Sequence, residues 1–394
     1  MSISAVSKRV AAPIPFCKVV ITPEARTASD RALGGGWVTT GPQVQAFEEE
    51  FATLVGAQHA VAVASCTAGI EIAIRALRLP QGSRVLTPAM TFAGAVNAII
   101  HAGLQPVLVD IDSSSLMPSP EHVAAAAARC GGADAMVVLH YGGAPASVSE
   151  LADAAGLPLS RVVEDAAHAL WTRVGQKDVG SISAATCFSF YATKNLPLGE
   201  GGMITTDDED IALLMKQIRL HGMSLDAWRR YLPGGTWRYD IDVAGIKANM
   251  TDVIAAIGRA QMPHLPLWQQ RREAVAARYM ECLSGVPGVR LPQWPVEGRH
   301  AWHLFVVQIE TNDDICRDDV GAHLVRNEIG CSVHFIPVHH MRYFKELLGD
   351  HAGLLPGTDA AASQVLSLPM HPVLTDMDVD RICEAVAEAV GASS

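Results

Sequence analysis

The feature that most constrains the fold of this 394-residue chain is a regular alternation of strand-like and helix-like segments between about residues 44 and 220. Strands that follow one another through helices imply parallel pairing with right-handed crossovers. Strands are predicted at 59–64, 84–87, 105–110, 135–139, 161–164, 184–190 and 202–206, and helices at 44–54, 67–77, 92–102 and 120–128. The pattern therefore predicts an α/β fold with a mostly parallel seven-stranded sheet.

Several polar side chains lie at or just past the ends of these predicted strands. They are Ser65, Asp110, Asp165 and Ser189. In open α/β sheets, ligands bind beyond the carboxyl ends of the strands. Several polar groups can therefore converge there.

The rest of the chain has a different character. Residues 222–249 are irregular and rich in Gly, Trp, Arg and Tyr, which is typical of a functional or disordered loop, and the glycines at 34–36 also indicate a loop. Residues 251–277 predict a long helix with a break near Pro263 and Pro266. Strands at 303–309 and 332–335 and helices at 320–329 and 376–390 predict a small α+β domain. The expected division is an N-terminal arm over 1–24, a large domain over 25–265 and a small domain over 266–394.

Composition excludes several classes of protein. A net charge of −11 argues against a nucleic-acid-binding surface, which needs a basic face. No apolar run reaches the ~18 residues of a membrane span, and the N-terminus does not resemble a signal peptide. The eight cysteines are scattered, with no C-x-x-C pair, as expected of reduced thiols. These observations predict a cytoplasmic protein that binds neither nucleic acid nor membrane.

Lys194 and Asp165 carry the main chemical argument. Asp165 ends an apolar strand, and Lys194 follows the strand that ends in Ser189. A lysine amine that forms a Schiff base, with an aspartate beside the pyridine nitrogen, is what a pyridoxal 5′-phosphate (PLP) site requires. A lysine near a turn is more often a solvated charge, and an aspartate after a strand is more often a helix cap.

Further residues could complete such a site. Residues 65–69, Ser-Cys-Thr-Ala-Gly, open a predicted helix, where backbone N–H groups and hydroxyls can bind phosphate, and Ser189 can add a hydroxyl. His168 and Phe92 could contact the cofactor ring, although each alone is more often a core residue. The plain alternative for residues 65–69 is a helix cap with no ligand.

Other site types find little support. His334, His339 and His340 are too few and too apolar in context for a convincing metal site, and H-E-x-x-H is absent from the sequence. The sequence also contains no P-loop and no G-x-G-x-x-G after a strand. We therefore predict no metal.

With these residues considered together, the chain resembles the DegT/DnrJ/EryC1/StrS sugar aminotransferases, a branch of the fold-type I, aspartate aminotransferase-like PLP enzymes. The resemblance covers nearly the whole chain. It rests on residues 36–42 (GWVTTGP), 65–69 (SCTAG), 87–92 (TPAMTF), 164–168 (EDAAH), 189–195 (SFYATKN), 199–202 (GEGG) and 334–339 (HFIPVH). Residues 140–145, 251–252 and 301–305 look most like the subgroup that acts on nucleotide-linked 4-keto sugars, such as UDP-4-amino-4-deoxy-L-arabinose aminotransferase.

The resemblance implies a role for each matching position. Lys194 would be the Schiff-base lysine, Asp165 the partner of the pyridine nitrogen, and His168 the contact of the ring hydroxyl. Phe92 would stack on the ring, and Cys66, Thr67 and Ser189 would hold the phosphate. Asn249 would reach the phosphate of the neighbouring subunit's cofactor, which implies a homodimer with shared active sites. The implied substrate-binding residues are His334, Phe335, His339, Trp237 and Tyr239.

At three positions the residue in this chain is compared with the residues that relatives have there. Cys66 stands where the family often has Gly or Ala, which leaves backbone donation intact. Phe92 replaces a Trp seen in some relatives and offers less stacking area. A dehydratase branch of the family has His in place of the lysine, so the presence of Lys194 favours transamination.

The expected activity is transfer of an amino group from L-glutamate to the keto group, at C4 by expectation, of a dTDP- or UDP-linked keto-deoxy sugar. Lys194 would act as general base and acid, and both substrates would use one site in turn, giving ping-pong kinetics. One alternative is an aminotransferase of a free keto-cyclitol. Another is a non-catalytic regulatory protein with the same fold, which predicts loss of Lys194 or Asp165, yet both are present.

Overall fold

The computed structural model of the protein describes residues 12–224, 238–310, 315–349 and 351–391. Its centre is a seven-stranded sheet in the order β1-β7-β6-β5-β4-β2-β3. The strands are β1 His59–Val63, β2 Arg84–Pro88, β3 Gln105–Val109, β4 Ala135–Leu139, β5 Val162–Asp165, β6 Ala185–Ser189 and β7 Gly202–Thr206. All seven predicted strands are therefore confirmed, with ends shifted by at most one or two residues.

The sheet is mostly parallel, as predicted. The pairs β2–β3, β2–β4, β4–β5 and β5–β6 are parallel. Strand β7 is antiparallel to both of its neighbours, β6 and β1. It follows β6 without an intervening helix, so the chain reverses through residues 190–201 instead of crossing over. This reversal carries Lys194 and places it beside the carboxyl end of β6.

Helices cover the sheet and bury its largely apolar strands. They are α1 Pro23–Gly34, α2 Pro42–Val55, α3 Cys66–Ala76, α4 Ala93–His101, α5 Pro120–Cys130, α6 Val148–Ala155 and α7 Glu209–Ile218. The four helices predicted between residues 44 and 128 correspond to α2, α3, α4 and α5, whereas α1, α6 and α7 were not predicted. The prediction of a loop at 34–36 is wrong for Gly34, which is the last residue of α1 because that helix continues to the capping residue Gly35.

The buried carboxylate of Asp252 connects the start of α2 to a helix much later in the chain. Asp252 accepts hydrogen bonds from the backbone N–H groups of Gly41 at 2.8 Å, Val44 at 3.0 Å and Gln43 at 3.2 Å. It thereby satisfies N–H groups that the start of α2 leaves without helical partners. Asp252 itself begins α8 (Asp252–Gln261), and α9 (Leu265–Leu283) follows after a 3-10 turn at Met262–His264. The predicted break near Pro263 is confirmed.

A second, smaller sheet lies towards the C-terminus. Its antiparallel strands are β8 Val289–Arg290, β9 Phe305–Ile309 and β10 Val365–Leu368. The surrounding helices are α10 Arg317–Arg326, α11 Arg342–Leu348, α12 Pro356–Ala362 and α13 Asp376–Ala389. The sheet shares an apolar core with α9, α10 and α13, whereas α11 and α12 pack in neighbouring apolar clusters, and this confirms the expected α+β arrangement.

The predicted strand at 332–335 is wrong. Only Ser332 makes a strand-like contact, an isolated bridge to Ser367 of β10. Residues 333–337 have no regular structure, and His334 and Phe335 line a cavity instead of extending the small sheet.

The segment before α1 packs against the C-terminal part of the chain. Ile14 bridges Ile329, and the ring of Phe16 stacks on His334 with centroids 5.7 Å apart. The domain boundaries at 24 and 265 stay predictions. In the described part of the chain, every helix is too short or too polar to span a membrane.

Candidate active site

A cavity of about 530 Å³ lies beyond the carboxyl ends of β5 and β6 and the N-terminus of α3. Residues from both sheet regions line it, because the segments around His303 and His334 come from the C-terminal half. Nine of the residues predicted for the site are among its lining residues: Cys66, Thr67, Phe92, Asp165, His168, Ser189, Lys194, His334 and Phe335. The structure thus brings together groups that are up to 269 residues apart (66 to 335).

Asp165 is the last residue of β5 and is buried, with 5% of its surface exposed. Its Oδ1 accepts a hydrogen bond from the N–H of Ala167 at 3.0 Å. Burial raises the pKa of this carboxyl, while the Ala167 bond and the nearby Lys194 oppose the rise. A cationic partner in the cavity would offset the cost of burying the carboxylate.

Cys66, the first residue of α3, lies beside this carboxylate. Its thiol is 3.3 Å from the carbonyl oxygen of Cys187 and 3.8 Å from Oδ1 of Asp165. Burial raises the pKa of the thiol well above its usual value. Its side chain therefore packs beneath the site as a neutral group, and only its backbone N–H is left to contribute to phosphate binding.

The N-terminus of α3 has the chemistry of an anion site. Ser65 caps the helix by accepting a hydrogen bond from the N–H of Ala68 at 3.2 Å. The N–H groups of Cys66 and Thr67 lie in the first turn, where a helix leaves N–H groups without helical partners. Gly202 allows β7 to pass this turn, since a Cβ there would lie 2.6 Å from the carbonyl carbon of Ser65.

Lys194 lies in the reversal between β6 and β7 and is half-buried, with its backbone N–H bonded to the carbonyl oxygen of Tyr191 at 2.9 Å. Burial lowers the pKa of its ammonium, although Cys66 and Asp165 oppose the shift. A lysine held this way has a larger fraction of free amine at neutral pH than a solvated lysine, which suits a nucleophile or a base.

Two adjacent histidines can offer a ligand one hydrogen-bond donor and one acceptor. The N–H of Gly142 donates to Nδ1 of His168 at 3.3 Å, so the proton of a neutral His168 ring is on Nε2. Nδ1 of His303 lies 3.1 Å from Oδ1 of Asn195, and the Asn195 amide is oriented by donation to Ala301, so His303 keeps its proton on Nδ1. His168 can therefore donate through Nε2, and His303 can accept through Nε2, with the two ring centroids 4.5 Å apart.

These rings are neutral at physiological pH. Burial lowers the pKa values of His168 and His303 well below the usual range, and nearby Lys194 lowers them further. Burial also lowers the pKa of His334 to about 4, and its Nδ1 is 2.8 Å from Oγ of Ser367. The wall formed by these three rings thus offers uncharged polar contacts.

Aromatic residues form another part of the wall. Phe92 lies at the N-terminus of α4 with 62% of its surface exposed, and its ring is 6.2 Å from that of Phe335. Phe335 in turn stacks on His168 at 5.8 Å. Phe92 is therefore placed to contact a planar ligand, as predicted from its position in the sequence, although its role stays a prediction.

Three of the described residues that were predicted for the site do not line this cavity. Asn249 donates through Nδ2 to Oγ1 of Thr40 at 2.6 Å, and its predicted contact is with a second subunit. His339 is buried with its Nε2 2.8 Å from Asp359, so this geometry gives no support to its predicted role in substrate binding. Tyr239 is exposed and lies outside the lining, and Trp237 falls outside the described residues.

The residues present fit PLP. A buried carboxylate with a raised pKa suits a protonated pyridine nitrogen, the first turn of α3 with Ser189 suits a phosphate, and the half-buried Lys194 amine suits a carbonyl carbon. All three groups open onto the same cavity.

Comparison with known proteins identifies the family. The sequence model of the DegT/DnrJ/EryC1/StrS aminotransferase family matches residues 20–387. The chain belongs to this family. It is 42% identical to the spore coat polysaccharide biosynthesis protein SpsC of Bacillus subtilis (strain 168), over 96% of this chain and 97% of SpsC.

Solved structures of other aminotransferases have the same fold. Spr1654 from Streptococcus pneumoniae in its PMP form has a TM-score of 0.87 and 27% identity, covering 96% of this chain and 99% of that one. DesI, solved in the presence of its TDP-sugar product, has a TM-score of 0.83 and 31% identity, covering 96% of this chain and 94% of that one. This member of the family is therefore a PLP-dependent sugar aminotransferase of fold type I.

Sequence reasoning missed several lining residues of this aminotransferase site. His303 lies in a segment that resembles the family, but the sequence analysis assigned no role to it. The available signal was a histidine at the start of an otherwise apolar predicted strand. Tyr191, Thr193 and Glu200 also line the cavity and flank Lys194 in the reversal between β6 and β7. Their approach depends on how that reversal folds, which local patterns do not specify.

Proposed function

We propose that this enzyme transfers the amino group of L-glutamate to the C4 keto group of a keto-deoxy sugar linked to dTDP or UDP. The observation that carries the proposal is the placement of Lys194 and Asp165 in one cavity with three neutral imidazoles, those of His168, His303 and His334. Uncharged donors and acceptors suit sugar hydroxyl and carbonyl groups.

Two relatives support a nucleotide sugar as acceptor. DesI has a TDP-sugar as its product, and SpsC is named for polysaccharide biosynthesis. A cavity of about 530 Å³ falls within the range of about 300–1,000 Å³ that is usual for small-molecule sites. An acyclic amino acid and a nucleotide sugar would enter it in turn, so ping-pong kinetics follow.

The chain's own residues would then move protons and hold charge. PLP supplies a carbonyl that takes up the amino group and a ring that withdraws electrons. The free amine at Nζ of Lys194 removes a proton from the α-carbon of the donor. In the second half-reaction it delivers a proton to the sugar carbon that receives the amine. Asp165 remains ionised when it faces a cation, and the buried surroundings strengthen that pairing.

A homodimer with shared sites is part of this proposal. Phe92 and Tyr191 line the cavity, yet they are 62% and 47% exposed in the single chain. A second copy covering these aromatic rings would exclude water from the site, and Asn249 is the predicted contact from that copy. The eight cysteines are free, which agrees with the predicted cytoplasmic location, where both substrates would be found.

A screen of donors and acceptors tests the proposal. The holoenzyme would be mixed with L-glutamate, L-glutamine, L-aspartate or L-alanine and with dTDP- and UDP-linked 4-keto and 3-keto sugars, and products would be read by mass spectrometry. NMR of the product would locate the amine. We expect glutamate with a nucleotide-linked 4-keto sugar to give the highest kcat/KM, and Lys194→Ala to give no product.

Two outcomes would redirect the assignment. Turnover of a free keto-inositol at a rate equal to or above that of every nucleotide sugar would favour the cyclitol alternative. Amination restricted to the 3-keto sugars would move the reaction to C3. Absence of product with every pair would contradict the proposal.

A further inference from the structure

Two histidines and an aspartate converge outside the cavity. Nε2 of His339 and Nε2 of His340 each lie 2.8 Å from the same oxygen, Oδ1 of Asp359. One ligand atom from each residue lies within 4.8 Å of the others, and among the residues the structure describes this is the one such group. We propose that His339, His340 and Asp359 form a binding site for a divalent transition-metal ion such as Zn²⁺.

The donor set has the chemistry that this class of metal prefers. Two imidazole nitrogens and a carboxylate oxygen are common ligands of Zn²⁺, in a tetrahedral arrangement that leaves a fourth position for water or a further ligand. Ligand atoms about 2 Å from a tetrahedral metal are roughly 3.3 Å from one another. The present N···O separations of 2.8 Å would therefore widen by only about 0.5 Å.

A further histidine lies next to this group. The ring centroid of His351 is 6.2 Å from that of His339, and its Nδ1 is bonded to the carbonyl oxygen of Gly349 at 3.1 Å. Its Nε2 is thus the nitrogen left for another contact. A rotation of this half-buried side chain would let it supply the fourth ligand, which makes a site of three histidines and one carboxylate.

The surroundings hold two of the three ligands in place. His339 is buried in the 3-10 turn Val338–His340, and the N–H of Val338 is bonded to the carbonyl oxygen of Ala89 at 3.0 Å. Asp359 lies on α12, whose first turn is fixed by bonds from Gly357 and Thr358 to Asp110. A site assembled on such fixed backbone loses little freedom when it binds an ion.

Metal binding here would connect two parts of the small domain. The turn that carries His339 and His340 follows His334 and Phe335, which line the active-site cavity, by only a few residues. An ion shared with Asp359 would tie this turn to α12. We therefore expect the ion to raise thermal stability without taking part in the amino transfer.

The test uses the PLP-loaded enzyme without a polyhistidine tag. Zn²⁺ would be titrated calorimetrically, and Co²⁺ would be followed by its visible absorption, which is intense for tetrahedral sites. We expect one ion per chain in the wild type and a higher melting temperature with metal. His340→Leu and Asp359→Asn should each lower the affinity for the metal by at least about tenfold. Losing a residue that only hydrogen-bonds to a metal ligand already costs about 10–100-fold in affinity, and losing the ligand itself costs more.

A matched control separates this site from ordinary surface pairs. His101 also lies near a carboxylate, with Nδ1 3.4 Å from Oε2 of Glu71, but no second histidine joins it. His101→Leu should leave metal affinity unchanged. Absence of one-to-one binding in the wild type, or equal affinity in wild type, His340→Leu and Asp359→Asn, would overturn the proposal.

Discussion

Neighbouring carboxylates on β5 allow a sharp test of what each one does. Glu164 and Asp165 are adjacent, so their side chains point to opposite faces of the sheet. Asp165 faces the cavity, whereas Glu164 is fully buried among polar partners from other segments. We predict that Glu164→Gln lowers stability and that Asp165→Asn lowers turnover.

The size of the Glu164 effect follows from its contacts. Oε1 accepts from Ser183 at 2.7 Å and from Thr186 at 2.9 Å, and Oε2 lies 2.8 Å from Nε2 of His140. Nδ1 of His140 accepts from the N–H of Ala146, so its proton is on Nε2. Glutamine can serve the two hydroxyls, but its NH₂ group would then face the His140 N–H. Losing one buried hydrogen bond of a charged group and leaving a donor unpaired costs about 2–4 kcal/mol.

The Asp165 effect differs in kind. Asparagine keeps an acceptor for the Ala167 N–H, so the fold should persist with a stability change below about 1 kcal/mol. Without the negative charge, a cation in the cavity loses its partner, and we expect kcat to fall by several orders of magnitude. Each tenfold loss is ~1.4 kcal/mol of transition-state stabilisation.

Equilibrium urea unfolding at one protein concentration and steady-state kinetics would measure both effects. The absorbance of bound PLP would show that each variant is loaded. If Asp165→Asn retained kcat within tenfold of wild type, Asp165 would be only a structural residue. If Glu164→Gln lost turnover with unchanged stability, the two roles would be reversed.

The remaining predictions concern the lysine, the dimer and acid sensitivity. Lys194→Ala should abolish turnover while circular dichroism shows a folded protein that still binds PLP; appreciable transamination would contradict the assignment. In the proposed dimer, Asn249→Asp would set a carboxylate against the neighbour's phosphate. Mixing this variant with Lys194→Ala should partly restore activity, because a mixed dimer with shared sites would have one intact site. No rescue despite proven subunit exchange would place Asn249 in its own subunit's site. His334 and His371 have pKa values lowered to about 4 by burial, so the unfolded chain binds their protons more readily. Stability should therefore fall as pH drops from about 6.5 to 4, by up to about 1.4 kcal/mol per pH unit for each group, and a pH-independent melting temperature would refute this.

Much of the site could be predicted from the sequence because parallel strands bring their carboxyl ends to one edge of a sheet. Asp165 and Ser189 end adjacent strands, and Ser65 follows a third, so locating the strands was enough to expect these three residues to converge. Asp110, which follows a fourth strand, instead accepts hydrogen bonds from Gly357 and Thr358 and does not line the cavity. Lys194 became a candidate base because it follows the strand that ends in Ser189. Local spacing encodes strand and helix through short-range sterics and burial, which makes these predictions dependable.

Other features were decided by contacts between distant segments. His303 reaches His168, which is 135 residues away along the chain (168 to 303), and it is oriented by Asn195. The direction of β7 depends on the reversal that carries Lys194. Only Ser332 of the strand-like sequence at 332–335 pairs with β10, while His334 and Phe335 line the cavity.

The proposed metal site likewise combines a local sequence feature, the histidine pair at 339–340, with a contact between distant segments. By themselves these residues offered too few ligands for a metal, and the missing carboxylate, Asp359, lies on a helix whose position is fixed by Asp110 of the large sheet region. The sequence by itself determined the seven strands of the large sheet, the family and the chemical groups available. Only the tertiary structure decided which of those groups meet, because the energy of a side-chain contact depends on distances that packing of the whole chain sets.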